Sequence, residues 1–358
     1  MKSGKVSDTT LRRSILKEVQ KVNQGTLSPT VGGGAGVVPN CHVSGGLARA
    51  GEAAVFSAMQ TVSGEGLATA YLAAVRAANS LAAKGAIPQS ASIAITVPES
   101  MDERDLRKMH ERYCEYLQKH NIKIVGGHTA VSAVVTEPVV SVQMLGAVKK
   151  ADSAEDMSKR EESAENTPET VRPDAFLGLD IVMTKNCGLG GTALLAGHFT
   201  GELVARYPRR FIERAAEFLP ETEKNEEGYL AVADGAAYVH AAAEGGVFGA
   251  LWELAEYVEC GLEIDLPAIP ILQETVEICE YFDVNPYQLR TEGVFLILTE
   301  HGSRLCEVLE EHGIPAAIIG KTVPGLDRAV RNGEEVRYLE PNRVEEYERV
   351  MAAKRTVK

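Results

Sequence analysis

The sequence predicts an α/β protein of two domains, and three features predict it. Its 358 residues exceed one ordinary core, and a 45% share of hydrophobic residues is enough to fill two. Segments with helical apolar spacing alternate with short apolar runs in both halves. Between the halves, "KKADSAEDMSKREESAENTPETVRPDAF" (149–176) has no apolar period, is dense in charge and carries two prolines, as a solvated connection does. The expected division is a first domain at 1–150, a linker or insertion at 151–173 that is mobile and removable, a second domain at 174–345 and a tail at 346–358.

In the first half, "ATAYLAAVRAANSLAAKGA" places Ala68, Leu72, Val75, Ala78 and Ala82 on one helical face until Gly85 stops the helix. "ASIAITVP" then alternates Ile93, Ile95 and Val97 as a strand does. A helix at about 102–119 shares Leu106, Met109, Tyr113 and Leu117 on one face, and "IKIVGG" and "PVVSVQMLGAV" read as strands. In the second half, "LDIVMTK" is a buried strand ending at Lys185, and "GLGGTALLAGH" turns through glycines into a helix. Further helices are expected near 206–218, 229–242, 246–259, 271–282 and 302–312, with strands at "LEIDL", "GVFLILT" and "AAIIGKT".

A net charge of −13 repels nucleic-acid phosphates and anionic lipid. No run approaches the ~18 apolar residues of a spanning helix, and "MKSGKVSDTTLRRSILKEV" lacks the apolar stretch of a signal peptide. The expectation is a cytoplasmic protein without nucleic-acid or membrane partners. Six cysteines (41, 114, 187, 260, 279 and 306) are scattered without C-x-x-C spacing, which argues against a disulfide framework or structural zinc. Cys114 and Cys279 fall on apolar helix stripes, as small buried hydrophobes do.

Three glycine-rich segments are candidate ligand loops. "TVGGGAGVV" (30–38) has amides to cradle a phosphate but matches neither dinucleotide nor P-loop spacing, and reads more readily as a flexible loop. "KIVGGHTAVS" (123–132) puts Gly126, Gly127 and His128 directly after a strand, where α/β proteins bind ligands, although a lone loop histidine is commonly structural. "VMTKNCGLGGTALLAG" (182–197) sets Lys185 at a strand end before the amides of Gly190, Gly191 and Thr192 at a helix start, which favours an anion. In "VHAAAEGGVFGALWELAE" (239–256), by contrast, three alanines stand at a strand-to-helix junction where phosphate-binding chains place Asp, Ser or Thr.

In this order the segments resemble the aminoimidazole ribonucleotide (AIR) synthase, or PurM-like, superfamily, in its AIR synthase-related, HypE-like branch. "AANSLAAKGAIP" is similar to that family's helix with an Asn-Asp pair before Gly-Ala-x-Pro. "VGGHTAV" resembles its Gly-Gly-His-Thr-Glu-Val loop, and "LDIVMTKNCGLGGTALLA" its Asp-x-x-Val-x-Thr-Lys strand and Gly-Thr-Ala helix. "HAAAEGGVFGALWELAE" resembles its His-Asp-Pro-Thr-Glu-Gly-Gly turn, and "GLEIDLPAIPILQETVEICEYFDVNPYQL" and "IIGKTV" continue the match, which runs from Gly4 and Lys5 to about residue 342 outside the linker. The resemblance implies a two-domain fold whose N-terminal domain gives strands to an intersubunit barrel in a homodimer, followed by a C-terminal α/β domain, with ATP in the groove between them. ATP is held in that family through magnesium by carboxylates from several loops.

Carried over residue by residue, those carboxylates are absent. Their positions fall on Gly33 and Gly34, on Met59 or Gln60 with Gln60 preferred, on Ser80, on Ala130 and on Ala241, which Ala242 and Ala243 follow. HypE chemistry further implies a C-terminal cysteine, whereas this chain reads "MAAKRTVK" there. The retained positions, as candidates to hold a nucleotide or anion, are Lys5, Asn79, Gly126, Gly127, His128, Thr129, Lys185, Gly190, Gly191, Thr192, Glu244 and Gly245. The function expected is a non-catalytic homodimer, without a cofactor, that binds a protein partner or an anionic small molecule. The alternative is an active ATP-dependent enzyme with a rebuilt site, in which Lys5, Arg76 and Lys185 neutralise phosphate. A transition-metal site from Cys41, His42, His128 and His240 is not expected, since His128 and His240 are ordinary members of the family motifs.

Overall fold

A computed structural model describes residues 8–17, 35–37, 55–148, 173–341 and 344–356. Of the sequence expectations, those resting on Lys5, Gly33, Gly34, Cys41, His42 and residues 151–172 lie outside the described residues. The chain divides into one compact unit of Gly34–Ser158 and another of Met1–Gly33 with Lys159–Lys358. Its helix α1 (Asp8–Leu11) continues as a π-turn, Arg12–Leu16, and Arg12 reaches Glu256 at 2.6 Å.

The unit of Gly34–Ser158 is a five-stranded sheet in the order β1 (Gly36–Val37), β2 (Val55–Ser63), β5 (Val139–Ala147), β3 (Ile87–Val97) and β4 (Lys123–Val131). Only the β3–β4 pair is parallel. Helix α2 (Thr69–Ala82) is buried at every residue, in keeping with a segment that is alanine-rich and apolar nearly all round. Helix α3 (Glu103–Lys119) starts where the Asp102 side chain accepts the Asp105 N–H at 2.9 Å, and it buries Met109, Tyr113, Tyr116 and Leu117. The strand expected to end near Gly127 runs on to Val131, so His128 is a mid-strand residue paired with Ala94, not a loop residue. Gly127 permits that pairing, because a Cβ there would stand 2.9 Å from the Ile93 carbonyl oxygen.

The other unit is built on a seven-stranded sheet in the order β12, β11, β8, β10, β6, β9, β7. In chain order these are β6 (Asp180–Thr184), β7 (Tyr238–Ala241), β8 (Gly261–Asp265), β9 (Phe295–Thr299), β10 (Ala316–Val323), β11 (Arg328–Asn332) and β12 (Glu335–Tyr338). The helices are α4 (Leu189–His198), α5 (Thr200–Leu203), α6 (Arg209–Ala216), α7 (Glu226–Ala233), α8 (Gly246–Val258), α9 (Gln273–Phe282), α10 (Gly302–Glu311) and α11 (Glu346–Thr356). Ile181, Met183, Leu251, Leu254, Leu262 and Leu296 are among the residues of the core, fully removed from solvent.

One expectation is corrected here. The helix expected over 229–242 is α7 followed by strand β7, because Gly235 takes φ 86° and Tyr238–Ala241 pair antiparallel with β9. The tail expected at 346–358 is helical over Glu346–Thr356. Glu345 accepts the N–H groups of Tyr347 and Glu348, and its carboxylate meets the buried guanidinium of Arg290 at 2.9 Å. Among the described cysteines Cys187, Cys260 and Cys279 are buried and Cys114 and Cys306 half-buried, all as free thiols. No described helix is long and apolar enough to cross a membrane.

Candidate functional site

Strand β6 ends at Thr184, and Lys185 then takes the left-handed conformation, φ 53°, which turns its side chain inward until it is 6% exposed. Its ammonium lies 2.6 Å from Glu227 Oε1 and donates to the carbonyls of Lys224 at 2.6 Å, Gly293 at 2.7 Å and Glu221 at 3.3 Å. An ammonium has three N–H donors, so this arrangement leaves none for an external anion. Glu227 is fully buried and also accepts from Thr184 Oγ1 at 3.3 Å. Burial lowers the Lys185 pKa against the pull of Glu227, and burial raises that of Glu227 against the pull of Lys185.

The start of α4 is equally occupied. Gly188 N–H donates to Thr291 Oγ1 and Gly191 N–H to the Arg290 carbonyl, both at 2.9 Å. A Cβ at Gly190 would overlap the Glu292 carboxylate, and one at Gly191 the Leu289 side chain. Thr192 Oγ1 donates to Thr275 Oγ1 at 3.0 Å in the interior. The glycines thus admit the segment Leu289–Glu292, whose Arg290 carbonyl takes the Gly191 amide, while the Thr192 amide is taken within the turn by the Gly188 carbonyl at 2.9 Å, so two of the three amides that the sequence offers to an anion are already bonded.

At the β7–α8 junction His240 is buried, with Nε2 3.2 Å from Glu253 and Nδ1 3.5 Å from the Tyr238 hydroxyl. Ala241 is half-buried and Ala242 buried, while the Ala243 carbonyl accepts the Thr291 N–H at 3.0 Å. Gly245 precedes α8 at φ 83°, and Glu244 is half-buried.

In the unit of Gly34–Ser158, Gln60 and Ser80 are brought together. Gln60 Nε2 donates to Ser80 Oγ at 3.3 Å, and Ser80 donates to the Arg76 carbonyl at 3.0 Å. Met59 is 62% exposed, so Gln60 is the member of that pair in contact with α2. Asn79, at 2% exposure, lies beside Ser80 in α2. Gly126, Gly127, His128 and Thr129 line up along β4, exposed, with Ala130 half-buried after them.

Models of the AIR synthase related protein match this chain in both halves, the N-terminal domain over 47–148 and the C-terminal domain over 178–331. The chain belongs to the AIR synthase-related family. Within that family it is similar to hydrogenase-maturation proteins. It is 28% identical over 248 residues to a putative hydrogenase expression/formation protein of Methanocaldococcus jannaschii. That alignment covers 68% of this chain and 66% of the relative, just under two thirds of the latter's length. A HypE solved in complex with HypF has a TM-score of 0.61 at 16% identity, with 80% of this chain and 90% of that one covered. A hydrogenase maturation protein HypE solved in complex with ATP has a TM-score of 0.60 at 16% identity, with 96% and 97% covered.

Within the AIR synthase-related family fold, the sequence-derived site residues that are described fall into two groups, one per unit. Gln60, Ser80, Ala130 and Ala241 are uncharged, and among the described residues no group of three His, Cys, Asp or Glu could hold a metal ion. Sequence reasoning did not single out Glu227, Glu292, Arg290 or Glu345. Arg290, 1% exposed, lies 4.2 Å over the Tyr347 ring and is held by Glu345 and Glu348. Only the position of Glu227 in the first turn of a helix was a usable signal, and a lone carboxylate among 50 acidic residues does not stand out.

Proposed function

We propose that this protein is a non-catalytic member of the AIR synthase-related family that does not use magnesium-ATP and acts as a homodimer binding a protein partner or an anionic small molecule. The observation that carries the reading is the uncharged set Gln60, Ser80, Ala130 and Ala241 at the positions where the family resemblance requires carboxylates. A magnesium ion bridging phosphates needs one or two protein carboxylates in near-octahedral geometry. Gln60 offers one neutral carbonyl oxygen, Ser80 one hydroxyl, and the alanines no side-chain ligand, so these residues do not fit the ion. The enclosure of Lys185 by four oxygens supports the same reading, since the rebuilt-site alternative draws on its charge.

An exposed edge supports association with protein. Val125 and Val131 of β4 are both 66% exposed, Val134 just beyond is 90% exposed, and an apolar sheet edge of this kind is normally covered. A second copy is the occupant in the homodimer reading, and the HypE–HypF complex motivates a further protein partner.

Isothermal titration with ATP and Mg²⁺ tests the proposal. The expected result is weak or absent binding that Mg²⁺ does not improve; a low-micromolar dissociation constant that weakens with EDTA would overturn it in favour of an active enzyme. Restoring Ser80→Asp, Ala130→Glu and Ala241→Asp together is expected to recover magnesium-dependent binding.

A further inference from the structure

The atoms around Lys185 Nζ come from separate segments. Glu221 and Lys224 bracket the end of the 3-10 turn Leu219–Glu223, Glu227 lies in the first turn of α7, and Gly293 precedes β9 at φ 78°. Three of the four oxygens are main-chain carbonyls held by their own turns, and the fourth belongs to Glu227, which also accepts from Thr184. Carbonyls only accept, and so does an ionised carboxylate, so the cluster contains acceptors alone and its oxygens repel one another unless a cation lies among them. A ring of carbonyls replaces the water shell of a potassium ion, whereas Mg²⁺ keeps its waters and favours carboxylates. One carboxylate among three carbonyls balances a single positive charge.

The geometry points to a monovalent-cation site built into the second unit and filled by the chain's own Lys185 ammonium, which opens to potassium or ammonium ion when that side chain is removed. Lys185 is then an internal counter-ion that fastens the end of β6 to the 219–227 segment and to Gly293. Its left-handed backbone is the cost of aiming the side chain into the cage. This inference is independent of whether nucleotide binds.

The test uses Lys185→Ala and Lys185→Gly, the second because glycine tolerates φ 53° and relieves the backbone. Melting temperatures are compared in choline, lithium, potassium and ammonium chloride at equal ionic strength. Both variants are expected to melt well below the parent in choline. Potassium or ammonium ion should restore several degrees with the saturable concentration dependence of a bound ligand, lithium should restore less, and the parent should show no preference among the cations. Adding Glu227→Gln to Lys185→Gly should abolish the potassium response. Variants that fold but show no cation preference overturn the inference. Should neither variant fold, acetylation of the parent decides: Lys185 reacting at least tenfold more slowly than the exposed Lys123 supports the cage, and equal rates overturn it.

Discussion

The strand end at Lys185 and the strand β4 are both glycine-containing segments where an α/β protein holds ligands, the first with the stronger sequence case for an anion, and they differ in nearly every physical respect. Around Lys185 and Thr192 the side chains are buried and bonded within the protein, Lys185 to three main-chain carbonyls and Thr192 to Thr275. Along β4 the residues from Lys123 to Thr129 are exposed, with Ile124 and Val125 among them. Glycine beside a helix start therefore has two opposite uses. It leaves room for an incoming phosphate, or it leaves room for the protein's own backbone, and only the neighbouring segment decides which.

The largest effect expected from breaking this contrast is at Glu227. Glu227→Leu leaves the buried Lys185 ammonium without its counter-charge, and loss of one partner from a buried pair costs about 3–5 kcal/mol. Urea denaturation measures it; a cost under about 1 kcal/mol would place the pair in a far wetter setting than its burial indicates. Next comes Gly191→Ala, whose methyl must displace Leu289. Overpacking of this kind costs about 1–3 kcal/mol, read from the same denaturation curves. On the other side of the contrast, Val125→Lys and Val131→Lys should alter stability by only about 0.5 kcal/mol, as exposed substitutions do. They are nevertheless expected to shift the protein from dimer to monomer in light scattering at micromolar concentration. An unchanged dimer would exclude β4 from the interface, and a parent that is itself monomeric would remove the homodimer reading.

The smallest effect concerns acid stability. Burial alone would raise the Glu256 carboxyl, but Arg328 and Arg12 pull it below the usual carboxylate value. A carboxyl depressed in the folded state contributes stability above its unfolded pKa and loses it as pH falls through the folded value. The stability difference between the parent and Glu256→Gln is therefore expected at neutral pH and to shrink below about pH 4.5. Trp252, the only tryptophan and 3.6 Å under the Arg328 guanidinium, reports it by fluorescence. A difference that stays constant with pH would mean that the arginines do not act on this carboxyl.

Elements with a full apolar period were legible from sequence. The helix read up to Gly85 is Thr69–Ala82, and the one read at 102–119 is Glu103–Lys119, because spacing along one face is a local property. Strand β7 was not legible. Four residues, Tyr238–Ala241, beside alanines of high helix propensity become a strand only by pairing with β9, more than fifty residues later. The contact of Gln60 with Ser80 spans twenty positions with no shared pattern, and both were singled out only through the family resemblance. The carboxylates of Glu227 and Glu345 carry no sequence signal for the cations they neutralise, since pairing across 42 and 55 residues is decided by the fold.

The bond between Arg290 and Glu345 also sets an order of events during synthesis. Arg290 leads the segment Arg290–Glu292 into place beside α4, yet its guanidinium, at 1% exposure, has its carboxylate partners in residues 345 and 348. Chains grow at roughly 5–20 residues per second, so the 55 residues between Arg290 and Glu345 take about 3–11 s to be added. Through that interval a ribosome-bound chain holds a cation that cannot be buried without leaving its charge uncompensated. Burial of the Arg290 segment against α4 is therefore expected to follow synthesis of residues 345–348, and a ribosome stalled before residue 345 is expected to leave this segment open to proteases.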